Sequence, residues 1–510
     1  MAISSRYNRP MRIRRQLLDL CLGLLVTLVL FGLIEAGLWM AGLGDPSLST
    51  DLSRGFDSTA SYLVPDPDRA GGWQTRYYNG TNKEHSIPPK GKARRVVLFG
   101  GSNTRGFQRA RLPEALDALA DGEYEVVNLG RSGYGSARVA IAFEQALARI
   151  EPDVVVIYMG HNEFVEAGFQ MDLDSEWSSD SMRKLGEVMR STRTVNLLSD
   201  ALADQRETVQ AEPEKWKWEY SKFSDLAYEE TLKHFDAYEA RLDAMCSMAL
   251  ARGVEVVLCT VVYNRFSAPH VSNLPPAMGP DEIERFNELH EGALPKLTDA
   301  IKGLLPRAEH ARVHVKDWVV EDSKTGPKVW DREVPGRRAC TGPFARQDPI
   351  LGDGKLFARK VWNLYDSMQL LLDGSLREGE REGLERAERD LIAALELVPD
   401  HPRALFTLGL VEFLLERPEE LIRDHIEASH RFDRAPRKAN QVINGIIRGV
   451  AERQVGVTLL DVDEWFADCM PMRMTGWEWM MDHCHLNVGA RIIAMELLAQ
   501  RIVETFGAKG

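Results

Sequence analysis

Three short runs constrain this chain most. "RRVVLFGGS" (94–102), "DVVVIYMGHNE" (153–163) and "VEVVLCTVVYN" (254–264) are dominated by Val, Ile and Leu, and the first two run into glycines. Strands without apolar/polar alternation are buried on both faces, as in parallel sheets covered by helices. "YEVVNLGRSGYGS" (124–136) reads as another strand and loop, and "GVTLLDVDEWF" (456–466) as a strand running into a helix. Helical stretches lie between them: "ARLPEALDALADG", "ARVAIAFEQALARIEP" with its stop near Pro152, and one long or two shorter helices over 215–252. Strand–helix alternation predicts an α/β fold, a parallel sheet with helices on both faces. In such sheets the loops beyond the strands' carboxyl ends form the ligand site.

The alternation is interrupted. From about 355 to 432 the pattern is helix after helix, with "ERAERDLIAALELVPDHPRALFTLGLVEFLLERPEELI" turning at "PDHP". This resembles a tetratricopeptide hairpin, with Ala394 and Leu395 before the turn and Ala404, Leu408 and Gly409 after it. One such unit is visible, where an array needs several to bury its faces, and an ordinary helical insertion fits equally. Strand and helix signals then resume, so the segment is expected to interrupt one sheet domain. "REGEREGLERAERD" reads as an exposed helix face. Residues 306–352 carry no assignable element.

The amino terminus sets a second constraint. The first fifteen residues carry five arginines and no acid, and no residue from Leu20 to Ile34 is charged. With Glu35 tolerated near one end, the apolar run reaches about Leu43, enough to cross a bilayer as a helix. Arginines before the span predict a cytoplasmic amino terminus and an exported body. A cleaved signal peptide and a buried core helix are the rivals; the run is long and lacks a clean small-residue cleavage site, so a retained anchor is expected. The expected organisation is a cytoplasmic terminus (1–16), a transmembrane segment (17–43), a stalk (44–92), a catalytic domain in two parts (93–354 and 433–510), and the helical insertion (355–432).

Net charge is −13, and more negative with the arginine-rich leader set aside. That argues against nucleic acid, which wants a positive surface. Cysteines are few: Cys21, Cys246, Cys259, Cys340, Cys469 and Cys484. They make no disulfide framework; in an exported body one bridge among Cys340, Cys469 and Cys484 is allowed.

Four loops end in polar clusters: "FGGSNTRG" with Ser102, "NLGRSGYG" with Gly133, "MGHNE" with Asn162, and "DHCHLN" with Asp482 and His485. Each alone is weak. As a set they suit acyl transfer. A serine hydroxyl needs a base to take its proton, and His485 can supply one. An acid three residues earlier, Asp482, can fix the imidazole tautomer and stabilise the imidazolium. The oxyanion formed on attack needs donors already aimed at it. The N–H groups of Ser102 and Gly133 and the amide of Asn162 are suitable, and glycine at 133 leaves room for close approach.

These blocks, "GGSNT", "NLGRSGYG", "GHNE" and "DHCH", resemble those of the SGNH (GDSL-type) hydrolase superfamily. Ser102, Gly133, Asn162 and His485 match its four signature residues, and Asp482 fills the acid place of its D-x-x-H. "LNVGARIIAMELLAQRI" resembles its closing helix. The resemblance covers about 93–165 and 455–505. It implies a three-layer α/β/α flavodoxin-like fold and acyl-ester chemistry through a seryl intermediate, with no cofactor or metal. The layout also resembles a membrane-anchored branch with a tetratricopeptide-like insertion. Two departures stand out. The acid that usually precedes the serine is Gly101, and the usual Asp after the block-three asparagine is Glu163.

Asp482, His483, Cys484 and His485 are all metal-ligand types. Adjacent residues rarely converge on one ion, and no matching Cys/His pair lies elsewhere. His483 and Cys484 are expected to be packing or loop residues, and His161 structural. Trp216, Trp218 and Tyr220 suit a helix-packing face. Arg105 would meet an anionic group or solvent. The expected activity is a membrane-anchored extracytoplasmic serine esterase on O-acylated glycans, lipids or small esters. The same site could serve an O-acyltransferase. A non-catalytic reading has the helical insertion bind a protein partner.

Overall fold

The computed structural model describes residues 9–45, 61–76, 85–107, 111–120, 123–168, 188–189, 192–198, 228–304, 376–476 and 479–507. Trp216, Trp218, Tyr220 and Cys340 lie outside them, as does 306–352. The chain divides into two compact units. One comprises residues 1–66, 74–86 and 170–217; the other comprises 67–73, 87–169 and 218–510.

The first unit contains helix α1 (Arg9–Ala41), within which Leu20–Ala41 is long and apolar enough to cross a membrane. The expected featureless stalk is partly ordered. Short strands at Leu63–Pro65, Trp73–Thr75 and Ser86–Ile87 pair into a small sheet.

The second unit is built on five strands: β1 (Arg94–Gly100), β2 (Tyr124–Asn128), β3 (Val154–Tyr158), β4 (Glu255–Cys259) and β5 (Val457–Leu460). All pair in parallel, in the spatial order β2-β1-β3-β4-β5. The apolar runs behave as their composition requires: Val96, Val97, Val154, Val155, Val256 and Val257 are fully buried. Each such side chain contributes roughly 1.5–3 kcal/mol relative to exposure.

The helices in chain order are α2 (Ser102–Gly106), α3 (Arg111–Leu119), α4 (Ser136–Arg149), α5 (Tyr228–Leu250) and α6 (Pro280–Leu304). Then come α7 (Glu378–Leu397), α8 (Pro402–Leu414), α9 (Glu419–Arg431), α10 (Gln441–Arg453), α11 (Val462–Asp468) and α12 (Val488–Phe506). α3 packs on α12, while α5 packs on both α4 and α10. Strand order reverses direction at β1. Right-handed crossovers therefore place α3 on one face, where α12 joins it, and α4, α5 and α10 on the other. The crevice at such a reversal is where open α/β sheets bind ligands.

α6, α7, α8 and α9 stack in sequence around one apolar cluster. Ala394, Ala404 and Leu408 are buried in it, with Leu395 packed against it. Gly409 is small for a reason: a Cβ there would lie 2.8 Å from Ile426 of α9. The stack draws in α6, upstream of the 355–432 boundary. α9 is tied to the loop after β4, because Glu427 accepts from Arg265 Nε (2.6 Å) and Tyr263 Oη (2.5 Å). Cys484 is a free, buried thiol, which corrects its candidacy for a bridge, while Cys469 is disulfide-bonded.

Candidate active site

The chain turns sharply after β1. Gly100 has φ +155°, and a Cβ there would lie 2.0 Å from the Tyr158 carbonyl oxygen of β3. Only glycine fits. Ser102 then opens α2, whose first N–H groups have no intrahelical acceptor. The turn is stitched to both neighbouring strands. Thr104 Oγ1 donates to Tyr158 O (2.8 Å), and Asn128 Nδ2 donates to Thr104 O (2.7 Å). Arg131 N donates back to Gly100 O (2.9 Å).

Ser102 Oγ lies 2.7 Å from His485 Nε2. The other ring nitrogen, Nδ1, is 2.8 Å from Asp482 Oδ2 and 3.0 Å from Oδ1. A carboxylate beside Nδ1 holds the proton there. Nε2 is then the acceptor, and the serine hydroxyl donates to it. Burial pushes the Asp482 carboxyl up. The His485 ring and the N–H groups of Cys484 and His485 (2.9 and 2.8 Å) outweigh burial and hold it well below the usual carboxylate range. Asp482 is therefore ionised at neutral pH, ready to stabilise an imidazolium. Thus residues 383 positions apart in the chain meet.

Gly133 has φ +74° and nothing within 4 Å of where a Cβ would sit. Glycine suits that backbone conformation, and no described protein atom crowds the space beside it. No acceptor for its N–H is found among the described residues. Asn162 donates one amide hydrogen to Tyr134 O (3.0 Å), which orients the group and leaves the second hydrogen for an oxyanion.

The two departures from the family pattern have local causes. A Cβ at Gly101 would lie 2.5 Å from Asn162 Nδ2, so glycine there admits the amide. Glu163 accepts from Ser136 N (3.1 Å) and Ser136 Oγ (2.6 Å), at the start of α4. Glu166, one turn on, accepts from Ala137 N (2.8 Å) and Arg138 Nε (2.6 Å). Arg138 Nη2 in turn donates to Gly133 O (2.6 Å). The acids thus occupy a helix amino terminus, where negative charge is favoured, and join the loop of Gly133 to that of Asn162. Burial, then the neighbouring Glu166, pushes Glu163 up to about 7.

Sequence reasoning missed the residues that hold the base. Asn103, directly after the nucleophile and buried, donates from Nδ2 to Cys484 O (2.6 Å) and accepts at Oδ1 from Leu486 N (3.0 Å). It grips the backbone on both sides of His485. Asn264, at the end of "VVYN", donates its N–H to His483 O (3.2 Å) and its Nδ2 to Asp482 O (3.3 Å). Buried Lys438 fixes Asn264 in turn, donating to its carbonyl (2.7 Å) and to that of Ser267 (2.6 Å). Asn487 caps α12 through Ala490 N (2.9 Å), so the closing helix begins just beyond the base. The only advance signal was an asparagine beside each motif.

His161 is buried, and its Nδ1 accepts from Ala439 N (3.0 Å). Burial, reinforced by His485 and His483, pushes it well below its ordinary value, so it is a neutral packing residue. Arg105 is exposed and donates to Ser132 Oγ (3.0 Å). His483 is half-buried beside the site. Ligand-type atoms of Asp482, Cys484 and His485 lie within 4.8 Å of one another. They suit a metal poorly. Burial keeps the Cys484 thiol protonated, and His485 Nδ1 is committed to Asp482.

No protein-family model matches this chain, and no curated protein does. Among solved structures it is similar to a GDSL-like lipase from Bacteroides thetaiotaomicron VPI-5482, at 15% identity and TM-score 0.18. It is also similar to a putative acylhydrolase from Bacteroides fragilis NCTC 9343, at 16% identity and TM-score 0.19. Each match covers 35% of this chain and 53% of the other, so the chain spans about half the length of those structures.

Proposed function

We propose that this chain is a serine esterase of the SGNH type, acting on carboxylic O-acyl esters of glycans, lipids or small molecules. One observation carries the reading: Ser102 Oγ, His485 and Asp482 form a continuous relay with the polarity acyl transfer needs. Ser102 attacks the ester carbonyl as His485 Nε2 takes its proton. The oxyanion is received by the N–H groups of Ser102 and Gly133 and the free hydrogen of Asn162. His485 returns the proton to the leaving alcohol. A water then attacks the acyl carbon as His485 takes its proton, and His485 returns that proton to Ser102 Oγ as the acid leaves. Water can reach the relay: the side chains of His485 and Asp482 remain 33% and 38% exposed.

α1 is the membrane anchor in this reading, its arginine-rich end cytoplasmic and the catalytic unit outside. A reporter fused after Gly510 should be active only outside the cytoplasm. The activity is tested on the full chain in detergent with an active-serine phosphonate. Intact mass should show one adduct on the parent and none on Ser102→Ala or His485→Ala. A well-folded parent that takes no adduct would overturn the esterase reading.

A further inference from the structure

The apolar stretch Leu20–Ala41 contains one ionisable acid, Glu35. It stands six residues before Ala41, about 9 Å along the helix. A carboxylate at that depth in hydrocarbon needs partners. It has them in a distant part of the same unit. Arg193 N donates to Glu35 Oε2 (2.8 Å), and Thr194 N donates to Oε1 (2.7 Å). The Arg193 guanidinium runs back toward the helix end, donating to Leu43 O (2.9 Å) and pairing with Asp45 (3.3 Å). Gly44, at φ +62°, lets the chain pass close: a Cβ there would lie 2.3 Å from Arg193 O. The segment is therefore fastened to α1 at several heights.

We propose that residues 188–189 and 192–198 are a second membrane contact, seated in the phospholipid bilayer beside the anchor. The inference rests on reading α1 as a retained anchor. If α1 spans, the backbone at 193–194 lies at the depth of Glu35. Interfacial helices bury their apolar faces about 5–10 Å into the headgroup–acyl boundary. The side chains fit that position. Val188, Met189, Leu197 and Leu198 are between 41% and 63% exposed; Trp39 and Met40 on α1 and Leu43 just beyond it are 51% to 75% exposed. The polar side chains bond locally: Thr192 Oγ1 donates to Met189 O (2.6 Å), and buried Asn196 donates from Nδ2 to Thr192 O (2.6 Å). The segment contains no acid, and its described cation, Arg193, suits the phosphate level of a bilayer. Arg193 reaches toward the surface as long cations do at membrane interfaces. Trp39 stands where interfacial aromatics collect.

The full chain in phosphatidylcholine vesicles, with a trace of phospholipid bearing a diazirine on its acyl chain, tests this. After illumination and digestion, lipid adducts should appear on peptides of α1 and on those covering 188–198. The double variant Leu197→Asp, Leu198→Asp should lose the second set and keep the first. Adducts on α1 alone in the parent, or adducts on 188–198 that persist in the double variant, would overturn the interfacial contact and leave the anchor standing. Adducts on neither would overturn the anchor itself.

Discussion

The Ser102 half and the His485 half of the candidate site are held by different physics. Ser102, Gly133 and Asn162 each lie within five residues of the end of β1, β2 or β3. Their relative heights follow from strand register, in which Leu98 pairs with Asn128 and Gly100 with Tyr158. Asp482 and His485 lie beyond β5 and α11, in a loop with a single isolated bridge, Met480 to Leu486. No ladder sets that loop's position. The side-chain amides of Asn103 and Asn264 do, together with the backbone N–H of Asn264. A sheet spreads the cost of misplacement over many backbone bonds, whereas a clamp concentrates it on one side chain. Substitutions outside the relay should therefore act most sharply on the His485 half.

The largest expected effect checks the relay itself. Ser102→Ala should reduce ester turnover by about 10⁴-fold or more, as loss of a catalytic serine does elsewhere, with the melting temperature unchanged. Turnover near that of the parent would remove Ser102 from the site. Next is Asn162→Ala. Losing one oxyanion donor costs on the order of 10²–10³ in turnover. The loss should appear in kcat, with the phosphonate site still present by intact mass. An unchanged kcat would leave the hole to the backbone alone.

Asn103→Ala tests the comparison directly. It touches neither substrate nor reacting atoms, yet it frees both sides of His485. A base displaced by about 1 Å can lose on the order of 10²-fold in rate. It also leaves Leu486 N–H and Cys484 C=O unpaired, costing about 1–3 kcal/mol of stability if they stay buried. A purely structural role predicts the stability loss alone. A positioning role predicts that kcat falls well below the folded fraction while KM holds. Asn103→Asp separates the two bonds, because it keeps the acceptor for Leu486 N–H and lacks the donor to Cys484 O. It should recover part of the rate if the acceptor bond matters.

The difference also explains what was legible in sequence. Buried parallel strands announce themselves by unbroken Val and Ile, and the loops at their ends by glycine. The sheet and the three residues it carries could be read directly. Asp482 and His485 were readable from their i, i+3 spacing and the helix that follows. The clamps were not. Asn103 meets residues 381 and 383 positions away through side chain–backbone bonds, which leave no periodicity. Gly101 misled in another way. It looked like a lost acid, and its reason is the Asn162 amide stacked over it. The same applies to Glu35: an acid near the end of an apolar run gave no hint that 193–194 would meet it.

The smallest expected effect lies in the sheet-held half and concerns pH. Glu163 bonds Ser136 at the start of α4 and is pushed up to about 7 by burial and then by Glu166. Its unfolded value is that of an ordinary glutamate, near 4.3. Between these values the folded chain binds the proton that the unfolded chain has released, so stability falls as pH rises through the window. Below the window both states are protonated, and the Glu163 contribution is fully present. Above it both states are ionised, and that contribution is gone. Glu163→Gln keeps the shape and removes the proton. Its melting temperature should lack this part of the decline, so the gap between variant and parent should shift in the variant's favour from pH 4.5 to 7. A constant gap across that range would mean that Glu163 is ionised throughout and that the α4 amino terminus, not burial, sets its charge. The bonds from Ser136 would then be received by a carboxylate rather than by a protonated Glu163.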